Sequence, residues 1–184
     1  KAFCYAAGEQ VADGAALVGL TLRGGAGVFG NPVGGVWCNS TNARVANCII
    51  EACYNGATSG TLVNCLVRDN FAQSSGAATA FSSLINCTVT GNRVLSPGVS
   101  SVCLAWTTNT IFNSIIWGNK NSANADANYG TGGPGTVSYS CIRPLPTGTN
   151  NISLDPLLAA DGTHLLAGSP CTGWSMRPAR SRWY

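Results

Sequence analysis

The pattern of apolar and polar positions along this 184-residue chain is dominated by one short phrase that occurs four times. The phrase occupies residues 45–50, 62–67, 84–89 and 111–116, and each copy places an Asn between two short apolar runs. Its length suits a β-strand, and the connecting segments vary in length while the phrase itself does not. A strand-sized phrase that returns roughly every 20 to 30 residues indicates a solenoid in which each repeat forms one coil.

The alternation of side chains across a strand predicts which positions of the phrase face the interior. If the phrase is a single strand, one face carries the residue before each Asn, the residue after it, and the residue two positions further. These are Ala46, Val63, Ile85 and Phe112, then Cys48, Cys65, Cys87 and Ser114, then Ile50, Val67, Val89 and Ile116. All are small or apolar, so we predict that this face points inward. Gly- and Asn-rich segments between the copies predict sharp corners.

The Asn residues recur in two sets, because a second Asn follows the first by six residues in three copies. Asn side chains aligned on successive coils can hydrogen-bond along the stack and fix its register. The alternative is a row of amides that binds a ligand, and the structural ladder is the favoured interpretation. The predicted ladder residues are Asn47, Asn64, Asn86 and Asn113 in the first set and Asn70, Asn92 and Asn119 in the second.

Nine cysteines are many for a chain of this length, and an odd number leaves at least one without a partner in the chain. Cys48, Cys65 and Cys87 occupy the same position of the phrase and are predicted to form a buried column, because free Cys is often buried. The spacing is not that of a zinc site, since no Cys-x-x-Cys pair occurs and His164 is the only His. The remaining six are the expected disulfide partners if the protein is secreted: Cys4, Cys38, Cys53, Cys103, Cys141 and Cys171.

Charge is scarce, at 9% of residues against about 25% in ordinary soluble domains. Ten basic and seven acidic residues are spread too thinly to form a basic stripe, so a nucleic-acid partner is not expected. No apolar run approaches the ~20 residues of a membrane-spanning helix. The predicted surface is therefore polar but largely uncharged.

Several phrases of the chain resemble those of a known superfamily. They are the Gly-Asn pairs at residues 91–92 and 118–119, the phrase Leu-Thr-Leu-Arg-Gly-Gly at residues 20–25, and the closing phrases at residues 155–158, 162–166 and 168–170. This ordered set is similar to the right-handed parallel β-helix proteins of bacterial surfaces, in the pectin-lyase-like superfamily with polymorphic outer-membrane-type repeats. The resemblance covers residues 17 to about 173 and implies an all-β, right-handed parallel β-helix of about five to seven coils. We assign residues 1–173 to this β-helix, with a closing segment from about residue 150, and residues 174–184 to a basic tail.

The superfamily includes lyases, hydrolases, adhesins and stalks, so the resemblance does not decide the activity. Its hydrolases use clustered Asp residues, and its lyases use a basic residue with acids that often bind calcium. The seven carboxylates of this chain are scattered, and no two lie within three residues of each other. We therefore expect no catalytic residue, metal or cofactor in this segment, and the alternative is an active site elsewhere in a longer parent protein.

Two non-enzymatic functions remain as hypotheses. An adhesive module could stack neutral polysaccharide on Trp37, Trp106 and Trp117. A fibre subunit could instead self-associate end to end, because an uncapped β-helix exposes unpaired strand edges. The loop at residues 121–135 is rich in Gly, Asn and Ala, and is predicted to be a binding loop or a surface excursion.

Ile49, Leu66 and Ile115 are predicted to form an aliphatic stripe on the outer surface, two residues after the first Asn of each copy. Such a stripe needs a cover, which could be a loop, the C-terminal tail or another molecule. The neighbouring outward column reads Arg23, Glu51, Arg68, Thr90 and Trp117. Its alternating charges favour pairing between coils, with a catalytic Arg-Glu-Arg group as the alternative. The expected protein is thus a secreted or cell-surface module, with self-association or other surface proteins as partners.

Overall fold

Three parallel β-sheets wind around a common apolar interior in the computed structural model of the chain, which describes residues 3–4, 9–26, 34–96, 101–105, 109–131 and 135–172. They form a parallel β-solenoid of about five turns, as predicted, and no helix occurs in these residues. Consequently, the described part contains no helix long and apolar enough to span a membrane.

Each coil contributes one short strand to each sheet. Sheet A contains β1 (Phe3–Cys4), β4 (Thr21–Arg23), β7 (Ile49–Glu51), β10 (Leu66–Arg68), β14 (Thr88–Thr90), β18 (Ile115–Trp117) and β21 (Cys141–Ile142). Sheet B contains β2 (Glu9–Val11), β5 (Val36–Cys38), β8 (Ala57–Thr58), β12 (Thr79–Ala80), β16 (Cys103–Ala105) and β19 (Tyr129–Thr131). Sheet C contains β3 (Ala16–Val18), β6 (Arg44–Ala46), β9 (Thr61–Val63), β13 (Ser83–Ile85), β17 (Thr110–Phe112) and β20 (Thr136–Ser138). A small two-stranded sheet pairs β11 (Phe71–Ala72) with β15 (Arg93–Val94).

The repeated phrase is two strands rather than one, which corrects the predicted inward face. Asn47 has a φ of 53°, and the equivalent Asn residues of the next three coils lie within a few degrees of it. One left-handed residue bends the chain from sheet C into sheet A and breaks the alternation of side chains. The residue two positions before the Asn therefore points inward, as do the residues one and three positions after it. Val45, Leu62, Leu84 and Ile111 are fully buried, whereas Val63, Ile85 and Phe112 are only half-buried.

A second corner, between sheets A and B, is lined by buried amides. Asn70, Asn92 and Asn119 are almost completely buried, and each occupies the equivalent place in its coil. The Asn92 amide donates to Asn119 Oδ1 (2.9 Å) and to the carbonyl of Val67 in the preceding coil (3.0 Å). Its own Oδ1 accepts hydrogen bonds from Asn70 Nδ2 and from the Asn70 backbone N–H (both 2.9 Å). The side chains thus satisfy backbone groups that a sharp turn would leave unpaired inside the protein.

The C-terminal end of the solenoid is closed by its own chain. Tyr139 N donates to the Thr149 carbonyl (2.9 Å), and Ile142 N donates to the Ile152 carbonyl (3.0 Å). Ile152 N returns a hydrogen bond to the Ser140 carbonyl (2.9 Å). Residues 149–152 therefore occupy the strand edges that β20 and β21 would otherwise expose, and the chain then turns back along sheet A.

Candidate functional site

The outer face of sheet A carries two columns of side chains in register. The first column reads Thr21, Ile49, Leu66, Thr88, Ile115 and Cys141, and the second reads Arg23, Glu51, Arg68, Thr90 and Trp117. The residues between the two columns, such as Ile50 and Val67, point into the core and are fully buried. The parallel strands thus place apolar and charged columns side by side on one outer surface.

Residues 153–172, here called the strap, fold into a hairpin that lies on this surface. Ala159 N donates to the His164 carbonyl, and Leu166 N donates to the Leu157 carbonyl (both 2.8 Å). Asp161 Oδ1 closes the tip by accepting hydrogen bonds from the backbone N–H groups of Thr163 (2.9 Å) and His164 (3.0 Å). Gly162 has a φ of 70°, a conformation that favours glycine at such a turn.

Hydrogen bonds at the tip also set the acidity of Asp161. The backbone N–H of Thr163, followed by the imidazole and N–H of His164, lowers the pKa of this exposed carboxyl well below its ordinary value. These contacts stabilise the carboxylate form. His164 therefore belongs to the structure of the strap tip.

The tip docks on the middle coils through one arginine and one apolar contact. Arg68 Nη1 donates to the Asp161 carbonyl (3.0 Å), while Nη2 and Nε of the same side chain hold Glu51 Oε2 (2.7 and 2.8 Å). A methyl group added at Gly162 would lie 3.6 Å from Leu66 Cδ1, so the tip passes directly over Leu66. Leu66 is accordingly only 6% exposed.

The predicted outer stripe is therefore covered at Leu66 by the chain's own C-terminal segment. Ile49 and Ile115 lie in register with Leu66 and Thr88 and are half-buried. In the neighbouring column, both carboxylate oxygens of Glu51 face arginines, because Arg23 Nε lies 3.8 Å from Oε1. The charged column thus forms an ion-pair network that anchors the strap.

A cleft of about 410 Å³ opens beside the strap. Its sheet wall consists of Arg68, Asp69, Thr90, Gly91 and Trp117, and its strap wall consists of Asp155, Leu158, Ala159, Ala160 and Gly162. The walls are separated by 38 to 94 residues of sequence, so only the folding back of the strap creates the cleft. We identify this cleft as the candidate functional site.

The three predicted binding tryptophans do not form one surface in the described structure. Trp117 is half-buried and lines the cleft on sheet A. Trp37 is 38% exposed on β5 of sheet B, away from the strap. Trp106 lies outside the described residues. Of the two described members of this set, Trp117 is therefore the one that lines the cleft.

The cleft also brings together two acidic residues that the sequence pattern does not connect. Asp69 follows β10, whereas Asp155 belongs to the strap, where its Oδ1 accepts the backbone N–H of Leu157 (2.8 Å). Arg68 Nε lies 3.8 Å from Asp69 Oδ2. In the part of the chain that the structure describes, no group of three or more His, Cys, Asp or Glu side chains could hold a metal ion.

None of the described cysteines forms one of the expected disulfides, and six of them belong to the apolar core. Eight cysteines are described, and all are buried free thiols; the side chain of Cys4 lies outside the described part. Cys48, Cys65 and Cys87 occupy equivalent positions of successive coils in the interior, and Cys38, Cys53 and Cys103 lie elsewhere in the same apolar core. Burial raises the pKa of Cys38 to about 11 and that of Cys103 to about 12. Such thiols are poor nucleophiles at neutral pH.

The first Asn set forms a ladder at the surface, and the second extends beyond the repeat. Asn64 donates to Asn47 Oδ1 (3.2 Å), Asn86 donates to Asn64 Oδ1 (3.2 Å), and Asn113 donates to Asn86 Oδ1 (2.6 Å). In the buried ladder, Asn119 Nδ2 donates to Asn128 Oδ1 (3.0 Å), so a fourth amide joins it.

Asn128 and Ala127 are buried, which corrects the expectation that residues 121–135 stay outside the core. Only nine residues separate Asn119 from Asn128, and the longer repeat spacing therefore does not predict this member of the ladder.

Comparison of the chain with protein-family models, curated proteins and solved structures gives no match.

Proposed function

We propose that this chain is an extracellular, non-enzymatic adhesive module that binds neutral polysaccharide in the cleft between sheet A and the strap. The proposal includes display at a bacterial surface and membership of the pectin-lyase-like β-helix proteins, which the sequence phrases resemble. The observation that carries it is the position of Trp117, an aromatic side chain on a rigid sheet within a cleft.

The dimensions and lining of the cleft suit a few sugar rings. Its volume of about 410 Å³ lies within the range of about 300–1,000 Å³ typical of small-molecule sites. An indole presents an apolar face to a sugar ring, while Thr90 and the carboxylates of Asp69 and Asp155 are available to hydroxyl groups. The combination is typical of recognition by stacking together with a few polar contacts.

The charge of the cleft favours a neutral ligand over a polyanionic one. Among the residues that the structure describes, Arg68 is the only basic one in the lining, and its donors are engaged by Glu51 and by the Asp161 carbonyl. Asp69 and Asp155 contribute two negative charges that would repel a uronate. We therefore expect neutral glycans to bind and polygalacturonate not to bind.

The test is the affinity of the intact chain for a panel of neutral and acidic polysaccharides, measured by calorimetry. Trp117→Ala removes the stacking face and should weaken binding by about fivefold, since an aromatic contact contributes about 1 kcal/mol. Trp37→Ala is the matched control, because Trp37 is exposed on sheet B, and its affinity should not change. Equal losses in both variants, or no binding of any neutral glycan, would contradict the proposal.

One observation favours a second function, glycoside hydrolysis. Asp69 and Asp155 line the same cleft, and a pair of carboxylates is the usual catalytic apparatus of glycosidases. New reducing ends released from a bound glycan, and lost in both Asp69→Asn and Asp155→Asn, would identify a hydrolase instead of an adhesive module. Binding without release in the unaltered chain would support adhesion.

A further inference from the structure

Two of the buried cysteines differ in location from the other six described. Cys38, Cys48, Cys53, Cys65, Cys87 and Cys103 belong to the apolar core of the solenoid. Cys141 and Cys171 are also buried, at 0% and 8% exposed, but do not belong to that core. Cys141 lies in register with Ile115, so it stands in the outward column of sheet A that the strap covers.

The strap returns to the last coil at this point. Cys141 Sγ donates to the carbonyl of Leu154 at the start of the strap (3.2 Å). Ser169 Oγ donates to the Pro156 carbonyl (2.6 Å) and accepts the backbone N–H of Cys171 (3.1 Å). The two ends of the strap are therefore held together beside Cys141, and each of the two thiols is the largest influence on the pKa of the other.

We propose that Cys141 and Cys171 are a site of disulfide formation that fastens the strap to the last coil of the solenoid. The oxidant is a small-molecule disulfide of the glutathione type. The Cys171 thiolate attacks one sulfur of this oxidant and releases one glutathione thiolate. The Cys141 thiolate then attacks the Cys171 sulfur of the mixed disulfide and releases the second. Two protein thiols thus lose two hydrogens, and one glutathione disulfide becomes two glutathione thiols.

Exposure assigns different roles to the two thiols, because Cys171 is 8% exposed whereas Cys141 is fully buried. Their mutual contact also raises the pKa of Cys141 and lowers that of Cys171. Cys171 is therefore the thiol that a soluble oxidant reaches first, and its thiolate is the nucleophilic form. Cys141, with a raised pKa beneath the strap, acts second as the resolving thiol.

Closure of the bond would make the strap a loop of the chain anchored at both ends. A crosslink restricts the unfastened states of the segment it closes. The strap covers Leu66 and forms one wall of the cleft, so oxidation should slow every opening motion that exposes them. This consequence concerns the strap itself and does not depend on which ligand the cleft binds.

Peptide mapping of the full chain tests the pair directly. The reduced protein is incubated with glutathione disulfide, its free thiols are alkylated, and it is digested with endoproteinase Asp-N. Cleavage before Asp126, Asp155 and Asp161 places Cys141 in peptide 126–154 and Cys171 in peptide 161–184. We expect these two peptides to be recovered as one disulfide-linked species that reductant separates, while the six core cysteines are alkylated only after unfolding.

Two variants and a second measurement accompany the mapping. Cys171→Ser should abolish the linked species, whereas Cys38→Ser, which changes a core thiol, should retain it. Chymotrypsin cleavage within the strap should be several-fold slower in the oxidised chain than in the reduced chain, with no such difference in Cys171→Ser. If Cys171→Ser fails to fold, the wild-type mapping still decides the question. Unlinked peptides from a folded, oxidised chain, or linkage of Cys171 to a core cysteine, would overturn the proposal.

Discussion

At the scale of single residues, the two Asn sets perform different work although the sequence repeats them together. Asn47, Asn64, Asn86 and Asn113 adopt left-handed backbone conformations at the corner and bond to one another at the surface. Asn92 and its neighbours in the second set are buried and satisfy backbone groups of adjacent coils. The first set shapes the corner, and the second supplies the hydrogen bonds that the interior requires.

Replacement of Asn92 by Ala should therefore destabilise the solenoid strongly. The change leaves the buried Val67 carbonyl and Asn70 N–H without these partners, and each such loss costs about 1–3 kcal/mol. We expect the free energy of unfolding to fall by about 3 kcal/mol, measured by chemical denaturation. Asn64→Gly is the control: it retains the left-handed conformation, loses only surface amide contacts, and should cost about 1 kcal/mol or less. Equal losses would contradict this distinction.

The repeat predicts the position of each coil but not the direction of every side chain. A single left-handed Asn is enough to move the inward position from Val63 to Leu62, and a periodicity of two cannot reveal it. The repeat does not predict Asn128 for a different reason. A short surface excursion brings Asn128 into hydrogen-bonding contact with Asn119 after only nine residues, which is less than one repeat. Both departures come from backbone conformation rather than from residue type.

At the scale of elements, the strap is the part that turns a regular solenoid into one with a cleft. Its tip contacts Arg68 across 93 residues of sequence, through the carbonyl of Asp161. The closing phrases indicate that the β-helix begins to close near residue 150, but no periodic pattern shows which sheet of the solenoid these phrases contact. The aliphatic stripe predicts that something covers sheet A, and the choice among the possible covers requires the fold.

Leu66→Lys should release the strap and leave the coils folded. A charged side chain cannot remain buried beneath Gly162 without a partner, so the tip should lift from the sheet. We expect faster chymotrypsin cleavage within residues 157–166 and an unchanged far-ultraviolet circular dichroism spectrum. Val18→Lys is the matched control, because Val18 is 55% exposed on β3 and its replacement should leave cleavage unchanged. Cleavage of Leu66→Lys at the wild-type rate would show that the contact does not hold the strap.

At the scale of the whole molecule, the two ends of the described solenoid differ. Among the described residues, β1, β2 and β3 each pair with one neighbouring strand only. At the other end, β20 and β21 are followed by residues 149–152, which use their backbone donors and acceptors. Head-to-tail stacking needs a free edge at both ends, because the contact joins unlike surfaces. The end-to-end fibre that unpaired strand edges would allow would therefore have to displace this closing segment.

Ile152→Pro should make the closed end of the solenoid able to associate with a second copy of the chain. Proline has no N–H, so the hydrogen bond from residue 152 to the Ser140 carbonyl is lost and the edge strand is freed. We expect the unaltered chain to remain dispersed in negative-stain micrographs, with or without reductant, and the variant to associate as its concentration rises in analytical ultracentrifugation. Ile152→Val retains the N–H and should behave like the unaltered chain. Filaments formed by the unaltered chain would show that the closing segment yields to a second copy, and would favour a structural polymer over an adhesive monomer.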